Sequence, residues 1–202
     1  MIALIDYGAG NLTSVKKALA SLGAEFTVPE TPAQCEGMSG LIVPGVGHFS
    51  ATTALGAPWR EAIGGAVNAG TPLLGICVGM QWLYEGSEEA PDVPGLGVLS
   101  GRVRLLRGDA SQRLKIPHVG WNALELPRPS RLLSGLDPGA HVYFTHSYAA
   151  PVTTDCVASA THAECFAAAV ERDHVFGVQF HTEKSGDAGL QILRNFLAFC
   201  HR

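Results

Sequence analysis

The stretch Gly75-Ile76-Cys77-Val78-Gly79 sets a cysteine where a short apolar run stops and a helical pattern starts. A cysteine in such a strand-to-helix turn is lifted off the carboxyl edge of a sheet. The glycines two residues away on either side let neighbouring backbone pass close. The position is also a helix N-terminus, where the dipole favours thiolate over thiol. The amide of Val78 would point at an oxyanion formed on a substrate attacked by this sulfur. The plainer alternative is a small buried cysteine in a turn, since most free cysteines are buried and inert.

A second group adds chemistry to the first. His181 and Glu183 follow the apolar run Val175–Phe180, two residues apart. In extended chain, positions i and i+2 share a face. The carboxylate can then hold one imidazole nitrogen, fix the tautomer and leave the other nitrogen for Cys77. Nucleophile, base and acid in that order describe a hydrolase or acyl-transfer site. A merely polar strand end is the competing reading. A third element, Pro44-Gly45-Val46-Gly47, comes directly after the run Leu41–Val43. Its amides can converge on an anion or a polarised carbonyl, at the edge where α/β sheets place ligands; a plain turn is the alternative. Gly8-Ala9-Gly10 lacks the third glycine and the downstream acid of a dinucleotide fingerprint and is discounted.

The elements that must position these residues alternate in the first half of the chain. Ile2–Asp6, Glu25–Val28, Gly40–Val43 and Leu73–Ile76 read as strands. Helical spacing covers Leu12–Leu22 and Trp59–Asn68, and a short helix starts straight after Cys77 and runs to about Tyr84. That alternation implies a three-layer α/β fold, with a mostly parallel central sheet and helices on both faces. After Gly86 the texture changes. Gly97–Leu106, Leu114–Val119, Asn122–Leu126 and His141–Tyr148 are short runs broken by Gly, Pro and Asp, which read as an antiparallel extension. Phe166–Glu171 and Val175–Phe180 flank the turn Arg172-Asp173-His174, and a closing helix covers Ala188–Cys200. No repeat or linker interrupts residues 1–202, so a single domain is expected.

Composition narrows the function. The 202 residues are 47% apolar and 16% charged, with a net charge of −4 and no basic cluster. Nothing there calls for nucleic acid or an anionic membrane, and no apolar run is long enough to span a bilayer. The beginning of the chain lacks a basic segment followed by an apolar one, so no secretory signal is expected. Five scattered cysteines suggest neither a disulfide framework nor a zinc knuckle. No metal or cofactor is expected, and the setting is taken as reduced and cytoplasmic.

Three stretches resemble the motifs of class I glutamine amidotransferases: Pro44–Gly47, Gly75-Ile76-Cys77-Val78-Gly79-Met80-Gln81 and Val178-Gln179-Phe180-His181-Thr182-Glu183. Asp6–Leu12, Lys115–Asn122 and Tyr143–Tyr148 are similar to one kind of member, whose partner is a (β/α)₈ cyclase subunit. The resemblance implies a flavodoxin-like fold and glutamine as substrate. Cys77 would attack the side-chain amide, His181 would move protons and Glu183 would orient His181. Val78, Gly45 and Val46 would form the oxyanion hole; Gly47, Gln81, Ser147 and Tyr148 would hold glutamine. Asn11, Trp121, Asn122, Tyr143 and Lys184 would face the cyclase, with Trp121 and Tyr143 as core aromatics the alternative. A glutaminase serving another synthase, a stand-alone cysteine hydrolase on γ-glutamyl amides and a regulatory module with a dead triad are the rival readings. The sequence departs from the family pattern at Thr182, where many members carry proline. Cys35, Cys156, Cys165 and Cys200 have no place in the chemistry and are read as packing residues.

Overall fold

The computed structural model describes residues 1–108 and 114–200. The first half runs β1 (Ile2–Leu4), α1 (Leu12–Ser21), β2 (Phe26–Thr27), β3 (Gly40–Val43), α2 (Ala57–Asn68), β4 (Leu73–Ile76) and α3 (Val78–Trp82). Short strands follow: β5 (Gly86–Ser87), β6 (Ala90–Pro94), β7 (Arg102–Leu105), β8 (His118–Ala123), β9 (His141–His146) and β10 (Tyr148–Ala149). The chain then runs through β11 (Cys156–His162), β12 (Glu164–Arg172), β13 (Val175–Val178) and α4 (Gly186–Cys200).

Seven strands make the main sheet in the order β11-β12-β13-β4-β3-β1-β2. Pairing from β2 through β1, β3 and β4 to β13 is parallel, while β13-β12 and β12-β11 are antiparallel. This is the expected mostly parallel sheet with an antiparallel extension. Its central strands are apolar at every position, because both faces are covered. Ile2, Leu4, Ile42, Leu74, Ile76 and Val178 face a core closed by α1 and α4. Ala3, Ile5, Leu41, Val43 and Leu73 face a second core that takes in Ile63 and Val67 of α2 and Met80 of α3.

The parallel order has one consequence that matters for chemistry. β4 lies between β3 and β13, with Val43 opposite Gly75 and Val178 opposite Ile76. The segments leaving these three strands, Pro44–Gly47, Cys77 and Gln179–His181, therefore emerge side by side at one carboxyl edge.

The second half corrects several expectations. The runs Leu114–Val119 and Asn122–Leu126 are not two strands but parts of one, β8, which passes through Gly120 in register with Phe144. Gly120 has φ +135, a conformation other residues avoid, yet the ladder runs through it without a register shift. Strand structure in Gly97–Leu106 is confined to β7, and β5 pairs with β7 in parallel rather than as a hairpin. β11 was not expected at all: Cys-Val-Ala-Ser-Ala-Thr-His offers few bulky strand formers. It forms because β12 supplies a long antiparallel partner. On α4 the buried face centres on Ile192, Leu193 and Phe196, with Leu190 at its margin. Cys35, Cys156 and Cys200 are buried as packing residues, whereas Cys165 is exposed.

Candidate active site

Cys77 sits alone between β4 and α3 with φ 55 and ψ −111, a left-handed conformation for a residue that bears a side chain. Such strain costs about 1–3 kcal/mol and persists only where the surroundings impose it. Here its N–H donates to Val178 O at 2.8 Å, and its carbonyl accepts from Gln81 N at 3.1 Å. The flanking glycines are steric necessities. A Cβ at Gly79 would overlap the Val43 carbonyl oxygen, and one at Gly75 would stand 2.6 Å from Gly79 O. Helix α3 has five residues and stops at Trp82, short of Tyr84. Its effect on the sulfur comes from the unpaired N–H groups of the first turn rather than from a long dipole.

His181 is 2% exposed, and its Nδ1 lies 2.9 Å from Glu183 Oε1. The route to that contact differs from the expected extended chain. Strand β13 ends at Val178, and residues Thr182–Lys184 form a 3₁₀ turn that brings the carboxylate back toward the ring. His181 N donates to Tyr143 O at 2.9 Å, and Ser185 Oγ donates to His181 O at 2.6 Å, so the backbone around the ring is fixed. Nδ1–H donates to Glu183, which leaves Nε2 as the working nitrogen; it is buried and lacks a hydrogen-bond partner among the described residues. Burial alone would lower the imidazole pKa. Close polar contact with Cys77 and the hydrogen bond to Glu183, followed by the negative charge of both, outweigh that and raise it to about 10. The ring is thus an imidazolium at neutral pH, with the Nδ1 proton hydrogen-bonded to Glu183 and a second proton on Nε2.

The loop after β3 packs on this elbow. A Cβ at Gly45 would meet Val78 Cβ at 3.0 Å and Gly79 N at 3.2 Å, and would overlap Tyr7 Oη. Gly10 closes on the same loop, where its Cβ would lie 3.2 Å from Gly45 Cα. The discounted Gly8-Ala9-Gly10 segment therefore belongs to the site as its backing, not as a nucleotide loop. Gly45 is buried, Val46 half-buried and Gly47 exposed at φ +107. Ser147, between β9 and β10, and Tyr148, the first residue of β10, are half-buried. Gln81 is 2% exposed, and its Nε2 donates to Tyr148 O at 2.9 Å and to Gln179 Oε1 at 3.1 Å.

Two residues missed in the sequence touch the nucleophile's surroundings. Gln179, fully buried, donates from Nε2 to Cys77 Sγ at 3.7 Å. Its signal was a polar residue inside an apolar run, two positions before His181. Tyr7 is buried, its Oη lacks a hydrogen-bond partner among the described residues, and burial followed by the Cys77 charge pushes its phenol pKa up.

The residues expected to face a partner divide. Trp121 is 56% exposed and meets the Tyr143 ring edge-to-face at 6.0 Å, and Lys184 Nζ lies 5.6 Å over the same ring. These three form one surface group, so Trp121 is not a core aromatic. Asn122 is half-buried and donates to Thr161 O at 3.0 Å. Asn11 stands at the N-terminus of α1 without a side-chain capping bond. Among the described residues, no three His, Cys, Asp or Glu side chains converge as a metal-binding group, and no helix is long and apolar enough to cross a membrane.

The glutamine amidotransferase class-I family model matches residues 3–199. The chain is 48% identical over 207 residues to the imidazole glycerol phosphate synthase subunit HisH of Geobacillus kaustophilus, covering 98% of this chain and 96% of that one. It is 43% identical over 202 residues to the protein of the same name from Thermococcus kodakarensis, covering 97% and 98%. In fold it is similar to a crystal structure of a glutamine amidotransferase, with a TM-score of 0.77, 22% identity and full coverage of both chains. It is also similar to PurLQS from Thermotoga maritima, with a TM-score of 0.72 and 18% identity over 98% of this chain and 97% of that one.

Proposed function

We infer, from the premise that this chain belongs to the class I glutamine amidotransferase family, that it is the glutaminase subunit of imidazole glycerol phosphate synthase. The observation that carries the chemistry is a strained cysteine beside a histidine whose Nδ1 is held by a carboxylate and whose Nε2 is left unpaired. Cys77 Sγ attacks the δ-carbon of glutamine and forms the S–C bond of a tetrahedral intermediate. The resulting oxyanion is received by the Val78 amide and by backbone of Gly45-Val46. His181 gives its Nε2 proton to the leaving nitrogen, the C–N bond breaks, and ammonia departs from a thioester. The now neutral His181 takes a proton from water. The hydroxide adds to the thioester and Cys77 leaves as thiolate, releasing glutamate. Glu183 keeps the ring in the required tautomer throughout. Gly47, Gln81, Ser147 and Tyr148 hold the substrate, Gln81 by fixing the Tyr148 segment to which it is bonded.

The relatives named above are subunits of imidazole glycerol phosphate synthase. The partner is taken to be the (β/α)₈ cyclase subunit. It would combine the ammonia with a phosphoribulosyl-formimino imidazole-carboxamide nucleotide to give imidazole glycerol phosphate and an aminoimidazole-carboxamide ribotide in histidine biosynthesis. Five free cysteines fit a cytoplasmic setting. The test is glutamate release from glutamine, measured with and without the cyclase and its nucleotide. The reading expects weak turnover by the chain alone and strong turnover in the complex. Equal rates in both would favour a stand-alone hydrolase. Docking through the Trp121–Tyr143–Lys184 group predicts that Lys184→Glu weakens association in titration calorimetry, and an unchanged Kd rejects that face.

A further inference from the structure

Strands β8 and β9 place His118 directly opposite His146, and neither has a part in the chemistry above. They are 4% and 7% exposed. His146 Nδ1 lies 3.0 Å from Tyr148 O, and its Nε2 lies 3.1 Å from His118 Nδ1. His118 Nε2 in turn lies 3.4 Å from Asn122 Nδ2. A carbonyl oxygen only accepts, and this fixes every proton in the series. His146 must carry its proton on Nδ1 and accept at Nε2. His118 must then donate from Nδ1 and accept at Nε2 from the Asn122 amide. Asn122 is itself pinned, because its Oδ1 accepts from Ala123 N at 2.9 Å and its Nδ2 donates to Thr161 O.

The same carbonyl orders the other side. Tyr148 O also accepts from Gln81 Nε2, so the Gln179 atom that Gln81 meets must be an acceptor, Oε1. That leaves the Gln179 amide nitrogen no orientation but the one toward Cys77 Sγ. Both glutamines are buried, and the Gln81 amide supplies the donor that the Gln179 carbonyl accepts. The histidines must remain neutral for the series to hold, because a second proton on either ring would set donor against donor. Burial, reinforced by neighbouring histidines, holds His118 down to about 4 and His146 to about 3. His162, stacked on His118 at 4.2 Å, and His181 are the ionisable groups that act on the pair.

We propose that Asn122, His118, His146, the Tyr148 carbonyl, Gln81 and Gln179 form one continuous hydrogen-bond chain, whose two arms donate into the Tyr148 carbonyl from opposite sides and which aims the Gln179 amide at the Cys77 sulfur. His118 and His146 are positioning residues in it, and Gln179 is its terminal donor. The chain begins at Asn122 on β8, next in sequence to the exposed Trp121 of the proposed docking face. This deepens the glutaminase reading and rests on it for the meaning of the sulfur's reactivity.

The test reads the sulfur directly, as the rate of Cys77 alkylation by iodoacetamide at neutral pH in the full-length chain, resolved from the other cysteines by peptide mass spectrometry. Gln179→Met keeps the volume and removes the amide. His146→Phe suits the aromatic surroundings of Phe144 and Phe166 and removes both ring bonds. His146→Asn retains a donor at the Nδ1 place. Gln179→Met and His146→Phe are expected to slow alkylation about tenfold, the worth of a hydrogen bond to a charged group, while His146→Asn stays within about threefold of the parent. Should His146→Phe fail the circular dichroism check for folding, His146→Gln, which keeps only the Nε2-side acceptor, takes its place with the same expectation. A parent-like rate for Gln179→Met, or for the His146 variant lacking the Nδ1-side donor, overturns the chain. So does a His146→Asn as slow as His146→Phe, which would make His146 a space-filler. Glutamine turnover by the parent chain with its cyclase is measured alongside. Its absence sinks the glutaminase reading and leaves the alkylation comparison standing. Its presence with unchanged alkylation rates sinks the chain alone.

Discussion

At the scale of single residues, the site divides into groups that react and groups that hold them. Cys77→Ala removes the covalent route, so glutamine turnover in the complex is expected to fall by roughly three orders of magnitude or more. Residual turnover within tenfold of the parent would mean another nucleophile does the work. Thr182 raises a subtler question, because the family pattern favours proline there. The residue opens a 3₁₀ turn, a position where proline's fixed φ and missing N–H are tolerated. His181 before it has φ −88 and ψ 104, which is the extended backbone a proline demands of its predecessor. The Thr182 hydroxyl is buried without a partner among the described residues. Thr182→Pro is therefore expected to raise stability by about 0.5–1 kcal/mol in urea unfolding, with turnover kept within a few-fold. A large loss of turnover would show that the threonine backbone has a role that its contacts do not reveal.

At the scale of elements, three parallel strands of nearly continuous apolar sequence do most of the placing. Their boundaries were legible because runs such as Gly40–Val43 and Leu73–Ile76 are short, apolar and flanked by proline, Pro44 after the first and Pro72 before the second. The nucleophile's turn was legible for a related reason: only a tight approach of backbone explains glycine on both sides of one cysteine. That approach predicts the cost of breaking it. In Gly79→Ala the added methyl collides with the Val43 carbonyl, a backbone atom that cannot rotate away. A loss of about 2–4 kcal/mol in urea unfolding is expected, with β3 and α3 forced apart. A loss under about 0.5 kcal/mol would show that the two elements can slide past one another. Other features were not legible, each for a physical reason. The His181–Glu183 contact was foreseen, but through extended chain, because nothing in His-Thr-Glu distinguishes a strand end from a 3₁₀ turn. Strand β11 is made by its partner rather than by its own residues, so no local pattern announces it. The links between Gln81, Gln179 and Tyr148 join segments 67 and 98 residues apart in the chain, and spacing carries no trace of them.

At the scale of the whole molecule, buried histidines make stability depend on pH in opposite directions on the two sides of neutrality. His118 and His146 have folded values near 4 and 3, below the ordinary 6.5. Between those values and 6.5 the unfolded chain binds more protons than the folded one, so stability rises with pH across that window. Each group contributes up to about 1.4 kcal/mol per pH unit there. His181 is raised from 6.5 to about 10, so the stability it contributes is fully present below 6.5 and is lost as pH rises toward 10. Glu171 enters only at lower pH. Burial opposes its charge, but bonds from Ser130, Arg131 and the Leu132 backbone outweigh that and hold its pKa below the usual 4.5. From pH 6.5 down to 5, the two neutral histidines therefore set the slope almost alone. For a chain of 202 residues, the calorimetric Tm is expected to drop by about 5–10 °C across that interval. It should peak close to pH 6.5–7 and decline again on the alkaline side as His181 deprotonates. A Tm that is level between pH 5 and 6.5 would mean that His118 and His146 take up protons freely in the folded protein. The core between β8 and β9 would then have to admit water or charge, and the fixed tautomers that order the hydrogen bonds around Tyr148 could not persist.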